Sequence, residues 1–263
     1  MSESDRAPFD AAAAQARSGD RWTVRVVAET GSTNADLLAA PDAPDRTVLV
    51  AELQTGGRGR LARSWVSPSR AGLTFSMLLR PGLSQANWGW LPLLTGLALV
   101  RAIGPAAALK WPNDVLLGPE EAKLAGILAQ GGANGTAVIG VGLNVSTTAE
   151  ELPVPTATSL SLQGYSQLDR PILLAAFLAA FDELYDSWQA AGGDAEASGL
   201  APAYRARCSS IGREVTVQLA ERDVRGEVTA VDPAGRLVLR ESTGGDELVF
   251  AAGDVTHVRP ISR

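Results

Sequence analysis

The sequence predicts an α+β chain in two parts, a larger unit of interleaved strands and helices followed by a small all-β unit. Three observations carry this. Up to about residue 208, β-branched and apolar runs alternate with stretches whose apolar residues recur every three to four positions. From Ser209 the texture changes to short alternating strands at even spacing, separated by turn residues. Apolar residues make up 46% of the 263, enough for a core in both parts. The expected units are therefore 1–208 and 209–263.

Taken in order, residues 9–17 read as a short surface helix and 22–28 as the first strand. Ser32-Thr33-Asn34 follows, where Ser32 or Thr33 can cap a helix with Asp36 in its first turn. A cap is one explanation of these hydroxyls; lining a polar ligand at a helix start is the other. Residues 47–53 form a buried strand and 72–79 another. Residues 85–103 predict a long core helix, with Trp88 and Trp90 as packing residues. Residues 109–117 enter and leave a tight turn, where Pro112 fixes φ and Asn113-Asp114 can bond the local backbone. An ordinary turn accounts for this, but Lys110, Asn113 and Asp114 at one turn are also suited to a nucleotide and its metal.

Residues 122–130 predict a strand that starts at Lys123, and 136–145 a strand interrupted by Gly140 and Gly142 and ending at Asn144. Glycine weakens a strand interior unless something must approach the backbone closely. After a proline-containing loop at 150–157, residues 170–188 carry Phe177, Phe181 and Trp188 at helical period, an amphipathic core helix. A short helix then ends near Cys208. The small unit shows strands at 214–219, 225–231, 236–239 and 247–250, with turns at Asp232-Pro233-Ala234-Gly235 and Thr243-Gly244-Gly245-Asp246. That spacing predicts a barrel of about 50 residues.

One stretch stands apart. Between the strands at 47–53 and 72–79 runs a loop from Gln54 to Trp65 with three glycines and three arginines, Arg58, Arg60 and Arg63. It offers no helical or strand face to bury. Glycine backbone and guanidinium groups together can gather around a phosphate or carboxylate. A solvated hairpin is the plainer alternative, but the arginines and Trp65 exceed what solubility requires. The glycines make the loop pliable, and repulsion among its arginines is relieved by an anion, so residues 56–64 are expected to be disordered or open without a ligand and to order over one.

Composition excludes several classes. The net charge of −6 and a pI near 4.9 argue against general nucleic-acid binding. One histidine, His257, makes a Ser-His-Asp or Cys-His mechanism and a histidine-built metal site improbable. One cysteine, Cys208, forbids an internal disulfide and fits a reducing cytoplasm. Residues 1–20 hold no apolar signal segment, and the most apolar run, 91–103, falls short of the roughly 20 residues of a membrane span.

The order of these motifs resembles the biotin protein ligases over roughly residues 22–260. The matching stretches are Ser32-Thr33-Asn34, Gly57-Arg58-Gly59-Arg60 with Trp65, Lys110-Trp111-Pro112-Asn113-Asp114, Lys123-Leu124-Ala125-Gly126-Ile127-Leu128 and Gly140-Val141-Gly142-Leu143-Asn144-Val145. The resemblance implies a catalytic domain like that of class II aminoacyl-tRNA synthetases, then an SH3-like barrel. It implies that biotin and ATP with Mg²⁺ form biotinoyl-5′-AMP, which acylates a lysine on a biotin carboxyl carrier domain. By resemblance, Lys123, Arg58 and Arg60 serve the reaction, with Lys123 between carboxylate and α-phosphate. Ser32, Thr33, Asn34, Gln54, Gly57, Gly126 and Gly142 join Arg58, Arg60 and Lys123 around biotin. Arg58, Arg60, Arg63, Trp65, Lys110, Asn113 and Asn144 meet ATP, and Asp114 helps position Mg²⁺. A C-terminal arginine, Arg259, is a further candidate for contact with ATP.

The loop departs from the family's pattern, since Leu61 and Ala62 stand where Arg-Gly is common, and Gln130 replaces an acidic residue and is assigned no role. Only 21 residues precede Trp22, too few for two packed helices, so the form without a DNA-binding module is expected. Two alternatives use the same residues. A lipoate ligase would share the lysine and the adenylate, but the Gly-Arg-Gly-Arg loop with Trp65 favours biotin. A non-catalytic ligand- or nucleic-acid-binding protein would need only the arginine loop, and the acidic pI and the separate Lys123 motif count against it.

Overall fold

The computed structural model describes residues 6–219, 222–251 and 253–257. Arg259 lies outside them. The elements before the loop are α1 (Ala11–Ser18), β1 (Thr23–Thr30), α2 (Thr33–Leu38) and β2 (Thr47–Gln54). After it come β3 (Gly72–Leu79), α3 (Trp90–Ile103), β4 (Ala107–Lys110), β5 (Asp114–Leu117), β6 (Ala122–Gly131) and β7 (Ala137–Asn144). Two helices follow, α4 (Arg170–Ala190) and α5 (Leu200–Arg205). The chain then forms β8 (Glu214–Gln218), β9 (Asp223–Val231), β10 (Leu237–Glu241), β11 (Glu247–Phe250) and β12 (Asp254–His257).

Strands β1 to β7 form one mixed sheet in the order β1-β2-β3-β7-β6-β5-β4, with β1 and β2 parallel and the remaining pairs antiparallel. Every residue of β3 is buried, because both faces of the sheet centre are covered. Alternation separates the two faces. Leu73, Phe75, Met77 and Leu79 join the main core with the aromatics of α4, whereas Leu78, Val138 and Leu49 pack with Leu37 of α2.

The helix at 170–188 was legible for physical reasons. Asp169 caps it by accepting from the Ile172 N–H at 2.9 Å, and Pro171 sits in its first turn. Its apolar positions form an aromatic ladder, with Phe177 against Phe75 at 5.2 Å and Phe181 stacked on Tyr185 at 5.3 Å. The helix expected over 85–103 is shorter. Ser84 caps a separate turn over Gln85–Asn87, and α3 starts only at Trp90, after Gly89.

Strands β8 to β12 form an antiparallel sheet in the order β11-β10-β9-β8-β12. β12 was not foreseen from sequence. It has one buried apolar residue, Val255, and gains its partners only by pairing with β8. This sheet is joined to the preceding elements by several contacts. The indole N–H groups of Trp90 and Trp111 donate to the carbonyls of Pro233 and Gly235, at 2.8 and 3.0 Å. Buried Ser210 accepts from the Trp111 N–H at 3.2 Å and lies 2.9 Å from His257 Nε2, while Arg213 pairs with Glu121. Serine, histidine and glutamate thus meet in space, but Ser210 is fully buried and serves the seam.

The seam has a pH signature. Burial, then the cations Lys110 and Arg213, push His257 down to about 4, against the pull of Glu121 and Asp114. Folded His257 is therefore neutral where the unfolded chain's histidine, near 6.5, takes up a proton. Its contribution is complete above about pH 6.5 and is lost as pH falls towards 4. The parent should lose up to about 3 kcal/mol more than His257→Gln between pH 7 and 4. Urea unfolding of both proteins across that range measures the difference, in which the shared carboxylates cancel.

Candidate active site

The arginine loop is folded as a small hairpin. Arg58 and Ser64 form a bridge, Gly59 N–H donates to Arg63 O at 2.6 Å, and Trp65 N–H donates to Gly57 O at 2.9 Å. Leu61, at its tip, has φ +54° and is 66% exposed, so the loop buries no apolar side chain there. At its base, Gly56 N–H bonds Gly31 O at 2.8 Å and ties the loop to the entry of α2. The hairpin covers a cavity of about 120 Å³.

The cavity brings together most of the residues singled out by sequence. Ser32, Thr33, Asn34 and Gln54 line one side, and Arg58, Arg60, Arg63 and Trp65 come from the loop. Asn113, Asp114, Lys123, Gly126 and Gly142 come from β5, β6, β7 and the turn before β5. Gly57, Lys110 and Asn144 do not line it. Gly57 lies within the hairpin itself, packed against the Trp65 carbonyl. Lys110 sits beside Asp114 at 3.8 Å. Asn144 is buried and donates to Thr158 O at 2.9 Å, holding the segment that brackets Lys123 through Thr156 O and Thr158 N.

Strand alternation alone would put Lys123 and Gly126 on opposite faces, since they are an odd number of residues apart. A bulge resolves this. Between Val115 and Leu116 the register of β5 and β6 slips by one residue, leaving Leu124 extra. Lys123 is thereby turned into the cavity, with its ammonium 2.7 Å from Asp114 Oδ1. The strand glycines of the floor have a steric reason. A Cβ at Gly142 would overlap the Trp65 indole, and one at Gly140 would strike Asn34 Oδ1. Trp65 thus lies flat on the floor, with its indole nitrogen buried and unpartnered.

A polar network holds the start of α2. Gln54 Oε1 accepts from the Thr33 N–H at 2.8 Å and lies 3.0 Å from its hydroxyl, which also meets Ser76 Oγ at 2.6 Å. Ser76 donates to Asn34 Oδ1 at 2.6 Å, and Asn34 Nδ2 donates to Leu128 O at 3.1 Å and Gln130 Oε1 at 2.8 Å. Gln130, to which sequence gave no role, is thus an acceptor that orients Asn34. The expected Ser32 cap is present, accepting from the Ala35 N–H at 3.4 Å.

Among the described residues, four cations line the cavity, Arg58, Arg60, Arg63 and Lys123, against two carboxylates, Asp114 and Asp254. Burial draws the Arg60 guanidinium below its usual value, while Asp254 and Asp114 pull it back. Asp254 belongs to β12, pairs with Arg63 and was missed by sequence, where nothing marks an Asp in a distant strand as a neighbour of the loop. Among the described residues no three His, Cys, Asp or Glu side chains form a metal cluster. Both cavity carboxylates are already paired with cations, so the donor set does not fit a resident metal ion. A second cleft of about 450 Å³ shares Arg60, Asn113, Ile127 and Leu128 with the first and runs to Trp111 and Arg236.

A cation cluster over a glycine floor narrows the families, and comparison decides between them. The family model described as "Biotin/lipoate A/B protein ligase family" matches residues 23–144, and that described as "Biotin protein ligase C terminal domain" matches 210–258. The biotin–[acetyl-CoA-carboxylase] ligase of Mycobacterium tuberculosis is 42% identical over 254 residues, 92% of this chain and 91% of its own. This chain belongs to the biotin protein ligase family. The bifunctional ligase/repressor BirA of Escherichia coli is 32% identical over 84% of this chain and 70% of its own. The solved biotin protein ligase from Aquifex aeolicus in complex with biotin and ATP superposes with a TM-score of 0.74 at 27% identity, covering 90% of this chain and 99% of that one.

In this biotin protein ligase-family chain the Ser76 hydroxyl joins β3 to α2 at a point with no solvent access. Ser76→Ala would strand Thr33 and Asn34 in a buried site. It should lower stability by about 1–3 kcal/mol, read as a shift of the urea midpoint with an unchanged slope.

Proposed function

We propose that the chain is an ATP-dependent ligase that activates biotin as biotinoyl-5′-AMP. It then transfers biotin to a specific lysine of the biotin carboxyl carrier domain of a biotin-dependent carboxylase. The observation that carries this is the convergence of Arg58, Arg60, Arg63 and Lys123 on one cavity floored by glycines. The proposal includes a class II synthetase-like catalytic unit, an SH3-like second unit with a boundary near 208–212, and a cytoplasmic location.

In the first step a biotin carboxylate oxygen attacks the α-phosphorus of ATP, and pyrophosphate leaves. Two anions must meet, so the barrier is largely electrostatic, and fixed cations lower it without a general base. This agrees with a cavity that holds no histidine among its lining residues. Lys123, released from Asp114 as the anions arrive, bridges the carboxylate and the α-phosphate. Arg58 and Arg60 hold the remaining charge, and Arg63 and Asn113 face the nucleotide. Asp114, once released from Lys123, would be available to help position a Mg²⁺ brought by the nucleotide, which would supply charge neutralisation at the phosphates. Ser32, Thr33 and Gln54 present polar groups to the ureido ring. Asn34, whose amide hydrogens are both committed internally, keeps one acceptor lone pair for it.

Biotin against Gly126 and Gly142 requires Trp65 to leave the floor, where it becomes free to stack on adenine. In the second step the acceptor lysine amine attacks the carbonyl carbon of the mixed anhydride. AMP departs, an amide forms, and the amine loses its proton. Biotin-dependent exchange of pyrophosphate into ATP tests the proposal, and exchange that runs with lipoate but not biotin would overturn it.

Lys123→Ala should fold, since Lys110 remains beside Asp114, yet form biotinoyl-5′-AMP at least about a hundredfold more slowly. Pyrophosphate exchange at the parental rate would remove Lys123 from its role. Arg60→Gly should leak the intermediate. A charge-assisted hydrogen bond from the Arg60 guanidinium to the adenylate phosphate is worth roughly 1.5–3 kcal/mol, so without it release should quicken by about ten- to a hundredfold. Labelling of a bystander protein incubated with the variant, biotin and ATP reports the leak. Labelling no greater than with the parent, while adenylate is still made, would count against the loop as a lid.

A further inference from the structure

The second sheet is held rigidly by the two indole bonds to the β9–β10 turn and by the Ser210, His257 and Arg213 contacts. None of those attachments is made by a residue of the arginine loop. Between them the sheet carries one acidic group into the reaction cavity, Asp254 at the start of β12, mostly buried at 23% side-chain exposure. The preceding Gly253 also lines the cavity. Asp254 is thus presented by a fixed strand, whereas its partner Arg63 lies on a hairpin with few anchors. The other side-chain anchors of that hairpin are Arg60 Nη1 on Asn113 Oδ1, at 3.4 Å, and Trp65 on the glycine floor.

We propose that Asp254 is a positioning residue, a latch through which the second sheet holds the arginine loop closed over the reaction cavity. It rests on the ligase function proposed above. Asp254 touches no reacting atom. It acts through Arg63, and by fixing Arg63 it sets how long Arg58 and Arg60 stay over the bound adenylate. This gives residues 209–257 a part in retaining the intermediate. It also explains a carboxylate in a cavity meant for anions: one negative group outside the reacting centre relieves the mutual repulsion of three neighbouring guanidinium groups.

The test has two arms, both comparing the parent with Asp254→Ala, Asp254→Glu and Arg213→Ala, the second adding Arg63→Ala and the double variant. Arg213→Ala loosens the seam at Glu121 without touching the loop. In the first arm the free protein is exposed to trypsin and cleavage after Arg58 and Arg60 is followed by mass spectrometry. Asp254→Ala should be cut about two- to fivefold faster, the scale of one partly exposed ion pair, while Asp254→Glu and Arg213→Ala stay near the parent. In the second arm biotinoyl-5′-AMP is formed from biotin and ATP, and its release is timed after a chase. Asp254→Ala and Arg63→Ala should each release it about two- to fivefold faster, and the double variant no faster than the faster single. Additive effects, parental behaviour of Asp254→Ala in either arm, or an Arg213→Ala protein as open as Asp254→Ala would overturn the latch. A parent that forms no adenylate would sink the ligase function and the retention role with it, while the protease arm would still report whether Asp254 holds the loop.

Discussion

Four cations held around one small cavity are the constraint on which the rest of the structure depends. Arg58, Arg60, Arg63 and Lys123 repel one another, and partial burial strengthens that repulsion by thinning the solvent between them. The fold answers with two carboxylates set at the margins. Asp114 holds Lys123 from β5, and Asp254 holds Arg63 from β12. The four cations still outnumber the two carboxylates, so the lining keeps a net positive charge. Such pairs contribute little to stability where they are exposed. Their value here is that charge is balanced while the cations stay oriented.

Backbone irregularities place these charges. The bulge at Leu124 reverses the facing of Lys123 relative to Gly126, so that one strand supplies both the cation and part of the floor. The floor itself is backbone, because side chains at Gly140 and Gly142 would meet Asn34 and Trp65. One wall is kept rigid by hydrogen bonds running from Gln54 through Thr33, Ser76 and Asn34 to Gln130. A polar wall of this kind stays in place only because each buried group has a partner. The loop above it is held by a few side-chain contacts and by the backbone bonds of its own hairpin.

The second sheet is therefore part of the site's mechanics. Its indole-to-carbonyl bonds and the Ser210–His257 contact fix its orientation, and that orientation determines where Asp254 falls. Three interactions of different strength result. The seam is buried and polar, the latch is a partly exposed ion pair, and the Trp65 contact is a flat apolar one. Opening the loop breaks the last two and leaves the first intact.

Much of this was legible in the sequence. Period and capping marked α4, because Asp169, Pro171 and the aromatic stripe act within one helix. Apolar runs marked β3 and β7 as strands. Most of the candidate site could be named as well, since Arg58, Arg60, Lys123 and the glycines are chemically conspicuous and stand in a recognisable order. Tertiary structure alone decided the rest. It turned Lys123 inward, because a bulge is a property of two paired strands. It placed Asn144 and Lys110 outside the cavity, because their partners, Thr158 O and Asp114, are defined by packing. It gave Gln130 and Ser76 their roles, and it brought Asp254 to Arg63 across 191 residues. A single aspartate on a short strand carries no periodic signal. Its meaning arises only when two sheets have docked and a charge from one meets a loop of the other.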